Sequence, residues 1–265
     1  MIDLHCHVLA GIDDGPQTIE DSLALAQAAV AAGASTLVAT PHVSSRYPNA
    51  PETIARLVSA LNARLQTDGV ALEILPGAEI ATTRLVDITP AQLRSLGLNG
   101  GPWLLVEPPF TATATGLDAV LLDLQRNGHR IVLAHPERCP AFHRDPQMLE
   151  SLVRAGVLTS ITAGALVGHF GKQVRRFALG LAEAEMIHNV ASDAHDLDQR
   201  RPGITAELEQ SGLAPLAQWL THAVPDAILN GRETMPPRPT SNRSAVKPVS
   251  KRAAWRRRRW LKQAS

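Results

Sequence analysis

The chain begins MIDLHCHVLAGIDD (residues 1–14), and the reading of this stretch decides the fold. Residues 2–5 form a short apolar run of strand type, and His5 and His7 close it at a spacing of two. In extended backbone that spacing puts both imidazoles on one face, where they can converge on a single ion. Cys6, between them, points to the opposite face and reads as core. Strands that end in such groups are the mark of barrel enzymes, whose chemistry gathers at the carboxyl ends of parallel strands.

Working outward, seven strand candidates emerge, at residues 2–5, 36–40, 72–75, 103–107, 131–134, 158–162 and 187–192. Helical segments or long loops follow each of them, the alternation expected of a parallel α/β fold. Thr18 is placed to cap a helix over 19–32 with Asp21 at its third position, and Gly33 stops it. Asn49 with Pro51, and Thr89 with Pro90, open two more. Further helices are expected over 117–127 and 146–155, ending at Gly128 and Gly156.

Six of the seven candidates carry a metal-ligating residue at the carboxyl end. His42 follows the second, Glu79 the third and His135 the fifth, Glu107 closes the fourth, and Asp193 with His195 follows the seventh. Taken singly, each has an ordinary reading: a hydrogen-bonded histidine, a turn cap, an ion pair with arginine. Their shared position at strand ends is what points to a site. Together with Asp14 they are too many for one tetrahedral zinc and suit two or three ions sharing carboxylate bridges. Imidazole and carboxylate without thiolate favour manganese, iron or zinc over calcium. Asp13 stands next to Asp14 and offers the same chemistry.

Composition narrows the field. Two cysteines, Cys6 and Cys139, make no disulfide framework and point to a reducing, cytoplasmic setting. A cysteine phosphatase would resemble its kind in a Cys-x5-Arg loop. Ile12 and Asp145 occupy the arginine positions here, and Arg144 stands one place too early. No stretch approaches the roughly 18 apolar residues of a membrane span. Nine of the 26 Lys and Arg, and none of the 25 acids, fall between Arg243 and Lys262, so the net charge of +1 conceals an acidic body. Such a body is no obvious nucleic-acid binder.

The motifs DLHCH (3–7), TPH (40–42), GAE (77–79), VEPP (106–109), AHPER (134–138) and SDAH (192–195) resemble, as an ordered set, those of PHP-domain phosphoesterases. HVLAGIDDGP (7–16), LVEPP (105–109) and AHPERC (134–139) are similar, more narrowly, to the manganese-dependent protein-tyrosine phosphatases of bacterial capsule and exopolysaccharide operons. That resemblance implies a distorted, TIM-like (βα)7 barrel over residues 1–232 with three ions. His5, His7, Glu79 and Asp193 would hold one; Glu79, Glu107 and His135 a second; Asp14, His42 and His195 a third. Arg138 would meet the substrate phosphate, with a second arginine at Arg200 or Arg201, between which the motif does not choose. It further implies phosphotyrosine on a membrane-associated tyrosine autokinase as substrate.

Residues 233–265 read as a separate Pro- and Arg-rich tail, expected to be disordered. Arg256 to Arg259, between Trp255 and Trp260, could attract an anionic membrane surface, which would make the protein peripheral at the inner face. A homo-oligomer is compatible with all of this. His129, His143, His188 and His222 are read as solvated, and His169, in a Gly-rich stretch after the sixth strand, as a substrate contact.

Competing readings share parts of the pattern. A PHP phosphatase of a small metabolite such as histidinol phosphate would keep the metals and differ in its pocket and leaving-group acid. The amidohydrolases also carry HxH after a first strand, but they resemble one another in a bridging lysine, and no lysine ends a strand here. A catalytically idle barrel that tethers a partner through its tail is the non-enzymatic alternative.

Overall fold

Two of the barrel's staves are broken where they meet the site. In the computed structural model, which describes residues 1–239, the second stave runs as β2 (Thr36–Ala39), stops at Thr40-Pro41 and resumes as β3 (His42–Val43). The third runs as β4 (Glu73–Pro76) and resumes after Gly77 as β5 (Glu79–Ala81). Pro41 and Pro76 lack the N–H a continuous ladder needs. A Cβ on Gly77 would lie 2.8 Å from Val38 Cγ1, so this close approach of the staves admits only glycine. The sequence shows each stave as one run with a ligand after it; in the structure His42 and Glu79 instead open new strands.

The remaining staves are β1 (Ile2–Cys6), β6 (Trp103–Glu107), β7 (Arg130–Ala134), β8 (Leu158–Thr162) and β9 (Asn189–Ala191). Every pairing between them is parallel. The order is β1-β2-β4 in one sheet and β3-β5-β6-β7-β8-β9 in the other. Because β3 continues β2 and β5 continues β4, the two sheets are one curved wall of seven staves. Its seam closes between the ends of β9 and β1, where Asp193 N donates to His5 O (2.9 Å) and His7 N to Ala194 O (2.9 Å). The result is the distorted (βα)7 barrel that the family resemblance implies, with the seven staves of the run count.

Helices α1 (Ile19–Ala31), α2 (Pro51–Thr67), α3 (Pro90–Ser95), α4 (Leu117–Arg126), α5 (Pro140–Arg144), α6 (Pro146–Arg154), α7 (Ala163–Val167), α8 (Lys172–Glu183), α9 (Thr205–Ser211) and α10 (Val224–Leu229) connect the staves. Thr18 and Asp21 form the expected capping box on α1. Asn49 does not cap α2; Ala50 holds that position, and Asn49 Nδ2 donates to Ile12 O (2.8 Å) and His42 O (2.9 Å). That side chain ties two site loops together. The core is aliphatic, with Leu4, Leu37, Ile80, Leu104, Val132 and Val190 fully enclosed.

Residues 233–239, assigned to the tail by composition, run along the barrel. Met235 packs on the core, Trp219 Nε1 donates to Pro236 O (2.9 Å), and Arg238 lies over the Trp219 ring while donating to Ile187 O (3.2 Å). The basic segment with Trp255 and Trp260 lies outside the described residues. Among those described, no helix is long and apolar enough to cross a membrane.

Candidate metal centre at the barrel mouth

Strand register does most of the assembly. His42 lies beside Glu79, and Ala81 beside Glu107, across neighbouring parallel strands. Closure of the seam brings Asp193 and His195 against His5 and His7. His135 (φ 29°) and Asp193 (φ 54°) stand in left-handed backbone without being glycine, a conformation that costs about 1–3 kcal/mol and clusters at functional sites.

Glu79 is the hub. Its Oε1 lies 2.7 Å from His135 Nε2; its Oε2 lies 3.0 Å from His42 Nδ1 and 3.3 Å from both His5 Nε2 and His7 Nε2. Asp193 Oδ1 lies 3.3 Å from His5 Nε2. Asp14 Oδ1 faces His195 Nε2 at 3.3 Å and His42 Nε2 at 3.4 Å. Glu107 stands 4.0 Å from His135 Nε2. Four sets of ligand atoms lie within 4.8 Å of one another: His7, Asp14, His42 and His195; His5, His7 and Asp193; His5, Glu79 and His135; and His42, Glu79 and Glu107.

The donors fit a cation. Glu79 Oε2 and Asp193 Oδ1 are buried and face imidazole nitrogens at 3.0 and 3.3 Å without an aligned hydrogen bond, and the facing Nε2 atoms of His5 and His7 are only 3.2 Å apart. Buried polar atoms are rarely left unsatisfied, and convergent ones that are unsatisfied match an ion's coordination shell. Outer contacts aim the ligands. Asp13 Oδ2 holds His7 Nδ1 at 2.7 Å and accepts from His42 N at 3.1 Å, which leaves Asp14 as the carboxylate at the mouth. His195 Nδ1 lies 3.0 Å from Asp193 O, turning Nε2 inward.

Electrostatics agree. Burial works against ionised Glu79 and Asp193, yet the facing imidazoles, His5 first, and for Asp193 the Arg200 guanidinium, hold both carboxyls well below the usual range. Burial, with the Glu79 charge added, pushes Glu107 up to about 7. Burial alone would lower His7, but the Asp13 and Glu79 contacts lift it to about 10. Burial holds His135 down at about 4.

Two arginines reach Asp193. Arg138 Nη1 donates to Asp193 Oδ2 at 2.7 Å; Arg200 Nη2 pairs with the same oxygen, and Arg200 Nη1 lies 2.8 Å from His195 Nε2. Arg201 is exposed and makes no contact with Asp193; it lines an adjoining cleft with Thr162, His169, Phe170, Gln199 and Arg200. His169 is exposed at that cleft.

Several supports escape a sequence reading. Asp3 Oδ1 accepts from His5 N (3.3 Å) and Ser192 N (3.1 Å), locking the seam, and Glu137 Oε1 accepts from Thr162 N at 2.9 Å. The buried burial-prone position of each, inside DLHCH and AHPER, was the available signal. Two histidines read as solvated are not: His129 is buried, and His188 sits under the wall with Nδ1 accepting from Thr159 N (3.2 Å).

A parallel barrel that gathers imidazoles and carboxylates at its strand ends belongs to the class of metal-binding α/β barrel proteins. The family model described as "Capsular polysaccharide synthesis, CpsB/CapC" matches residues 1–211, and the chain belongs to that family. It is 41% identical to tyrosine-protein phosphatase YwqE of Bacillus subtilis over 201 residues, 76% of this chain and 79% of that one. It is 31% identical, at the same coverage, to a putative tyrosine-protein phosphatase CapC of Staphylococcus aureus. A crystal structure from a study of B. subtilis YwqE and Streptococcus pneumoniae CpsB, described there as unique metal-dependent tyrosine phosphatases, superposes with a TM-score of 0.79 at 37% identity. That match covers 91% of this chain and all of the other.

Proposed function

We infer that the protein is a metal-dependent tyrosine-protein phosphatase of capsule or exopolysaccharide synthesis. The observation that carries this reading is the convergence of nine ligand-type side chains on a mouth flanked by two arginines, in a chain of this family. His5, His7, Asp14, His42, Glu79, Glu107, His135, Asp193 and His195 are the ligands in this reading, with Glu79 shared. Three ions are read into the four overlapping donor sets; the thiolate-free donors suit manganese, iron or zinc, and the resemblance to manganese-dependent phosphatases puts manganese first. Bound divalent ions supply a nucleophilic water near neutral pH and offset the charge of an approaching phosphate.

The chain's own residues orient the ester. Arg138 and Arg200, both already drawn to Asp193 Oδ2, present guanidinium N–H groups at the mouth and turn them onto phosphoryl oxygens, where stabilisation grows as charge spreads. Arg201 has no such position. Asp13 keeps the His7 ring fixed through Nδ1, so His7 Nε2 stays directed inward. A tyrosine leaving group, with a solution pKa of about 10, departs with little protonation, so no committed acid is needed. The substrate in this reading is phosphotyrosine on a membrane-associated tyrosine kinase. The phosphoesterase domain is read as residues 1–232, and residues 233–239 form a strap docked on it.

The experiment is phosphate release from a phosphotyrosine peptide and from an alkyl phosphate monoester, with manganese or chelator, in wild type and His135→Ala. Release from the peptide alone, lost with chelator and with the substitution, is expected. Release from the alkyl ester alone would favour a small-metabolite phosphatase, and activity surviving both treatments would end the metal reading.

A further inference from the structure

The chain is poor in aromatic residues, with four Phe, four Trp and one Tyr in 265 residues, and its core is mainly aliphatic. Phe110 and Phe170 lie outside that fully buried core. Both stand beside one guanidinium. Arg138 Cζ lies 4.6 Å from the Phe170 ring centroid and 5.3 Å from that of Phe110. Phe110 also stacks on His135, with centroids 5.5 Å apart and planes 27° from parallel. It stands three residues beyond β6, after Pro108 and Pro109, and remains 48% exposed. A large apolar side chain so open gains little from packing. Its fixed place over two site residues asks for another explanation.

Arg138 donates to Asp193 Oδ2 through Nη1, and its Cζ lies over both rings. A phosphoryl group held by Arg138 therefore has both rings close to its ester substituent. An aryl substituent there meets apolar ring surface; a short alkyl one does not reach it.

We propose that Phe110 and Phe170, both beside Arg138, form an aryl subsite that receives the phenyl ring of the substrate and sets selectivity for aryl over alkyl phosphates. The proposal rests on the phosphatase reading above. The aryl pair, offset-stacked or edge to face, adds to affinity without a role in the reacting bonds. It predicts an effect on binding that depends on the substituent and is indifferent to the phosphoryl group.

The test uses the full chain with manganese and compares phenylphosphonate with methylphosphonate as competitive inhibitors of phosphotyrosine-peptide hydrolysis. Phe110→Ala should raise the inhibition constant of phenylphosphonate by about 5- to 10-fold, the scale of one lost aromatic pair. Methylphosphonate should change less than about 2-fold. Peptide KM should rise with kcat nearly unchanged. Phe110→Tyr should restore the wild-type ratio, and Phe110→Leu, which keeps apolar bulk without a ring, should not. Equal weakening of both inhibitors would mean that Phe110 only steadies Arg138, and would overturn the proposal while leaving the phosphatase reading intact. So would unchanged constants for both. A wild-type protein that releases no phosphate would overturn the phosphatase reading, and the aryl subsite with it.

Discussion

The two ends of the barrel treat buried polar atoms in opposite ways. Beneath β8 and β9 they are paired: Ser160 Oγ with Asn189 Oδ1 (2.5 Å), Asn189 Nδ2 with Leu220 O (3.0 Å), Thr159 Oγ1 with Met186 O (2.5 Å) and Thr159 N with His188 Nδ1 (3.2 Å). At the mouth, Glu79 Oε2 and Asp193 Oδ1 face imidazole nitrogens without an aligned hydrogen bond. A satisfied network holds a fold together, whereas unsatisfied convergent atoms are held for something that arrives later. The lower end therefore serves stability, and the upper end gives some up for binding.

The sharpest way to break this contrast is Glu79→Gln. Phosphatase activity should fall by about 10²–10³-fold or more, the scale of losing a key electrostatic group. Stability of the chelator-treated protein, followed by urea unfolding, should fall by less than about 3 kcal/mol, because the facing imidazoles lose a carboxylate while the amide keeps its shape. A larger loss would show that the hub is structural. Next, Arg200→Ala should lower kcat/KM by on the order of 10²-fold, and Arg201→Ala by less than about 2-fold, in steady-state assays. Equal effects would dissolve the distinction drawn from their positions.

From the lower end, Asn189→Ala leaves Ser160 Oγ and Leu220 O without their partner and should cost about 1–3 kcal/mol in urea unfolding, with kcat/KM close to wild type. The smallest effect concerns His188, whose pKa burial and the Arg238 charge hold down at about 4. Because the folded value lies below the ordinary one of about 6.5, the unfolded chain binds the proton first. Its contribution is whole above about pH 6.5, declines as pH falls to about 4, and is level below that, with a slope of at most about 1.4 kcal/mol per pH unit. Thermal unfolding between pH 4 and 7 should show this slope reduced in His188→Asn.

What the sequence made legible follows from local rules. HxH and DxH are period-two facts, and runs of apolar residues ended by ligands reveal staves and their polarity. Asn49, Asp3 and Glu137 each also reach a group distant in sequence, Ile12 O, Ser192 N and Thr162 N, which only the fold brings near. The choice between Arg200 and Arg201 depends on a turn in which Asp196 Oδ1 accepts from the N–H groups of Asp198, Gln199 and Arg200, with His195 N bonded to Arg200 O. Asp at the head of that turn was a readable cue. Residues 233–239 escaped because they dock through backbone carbonyls and one cation stacked on Trp219, which leave no apolar period.

That strap fixes a direction. Arg238 grips Ile187 O, just ahead of β9, and so marks the end of the barrel away from the strand termini that carry the histidines and carboxylates. Residue 239, the last described, follows directly on that grip. The contacts that fasten the strap and those that gather the site therefore draw on opposite ends of the vessel and need not compete for the same surface.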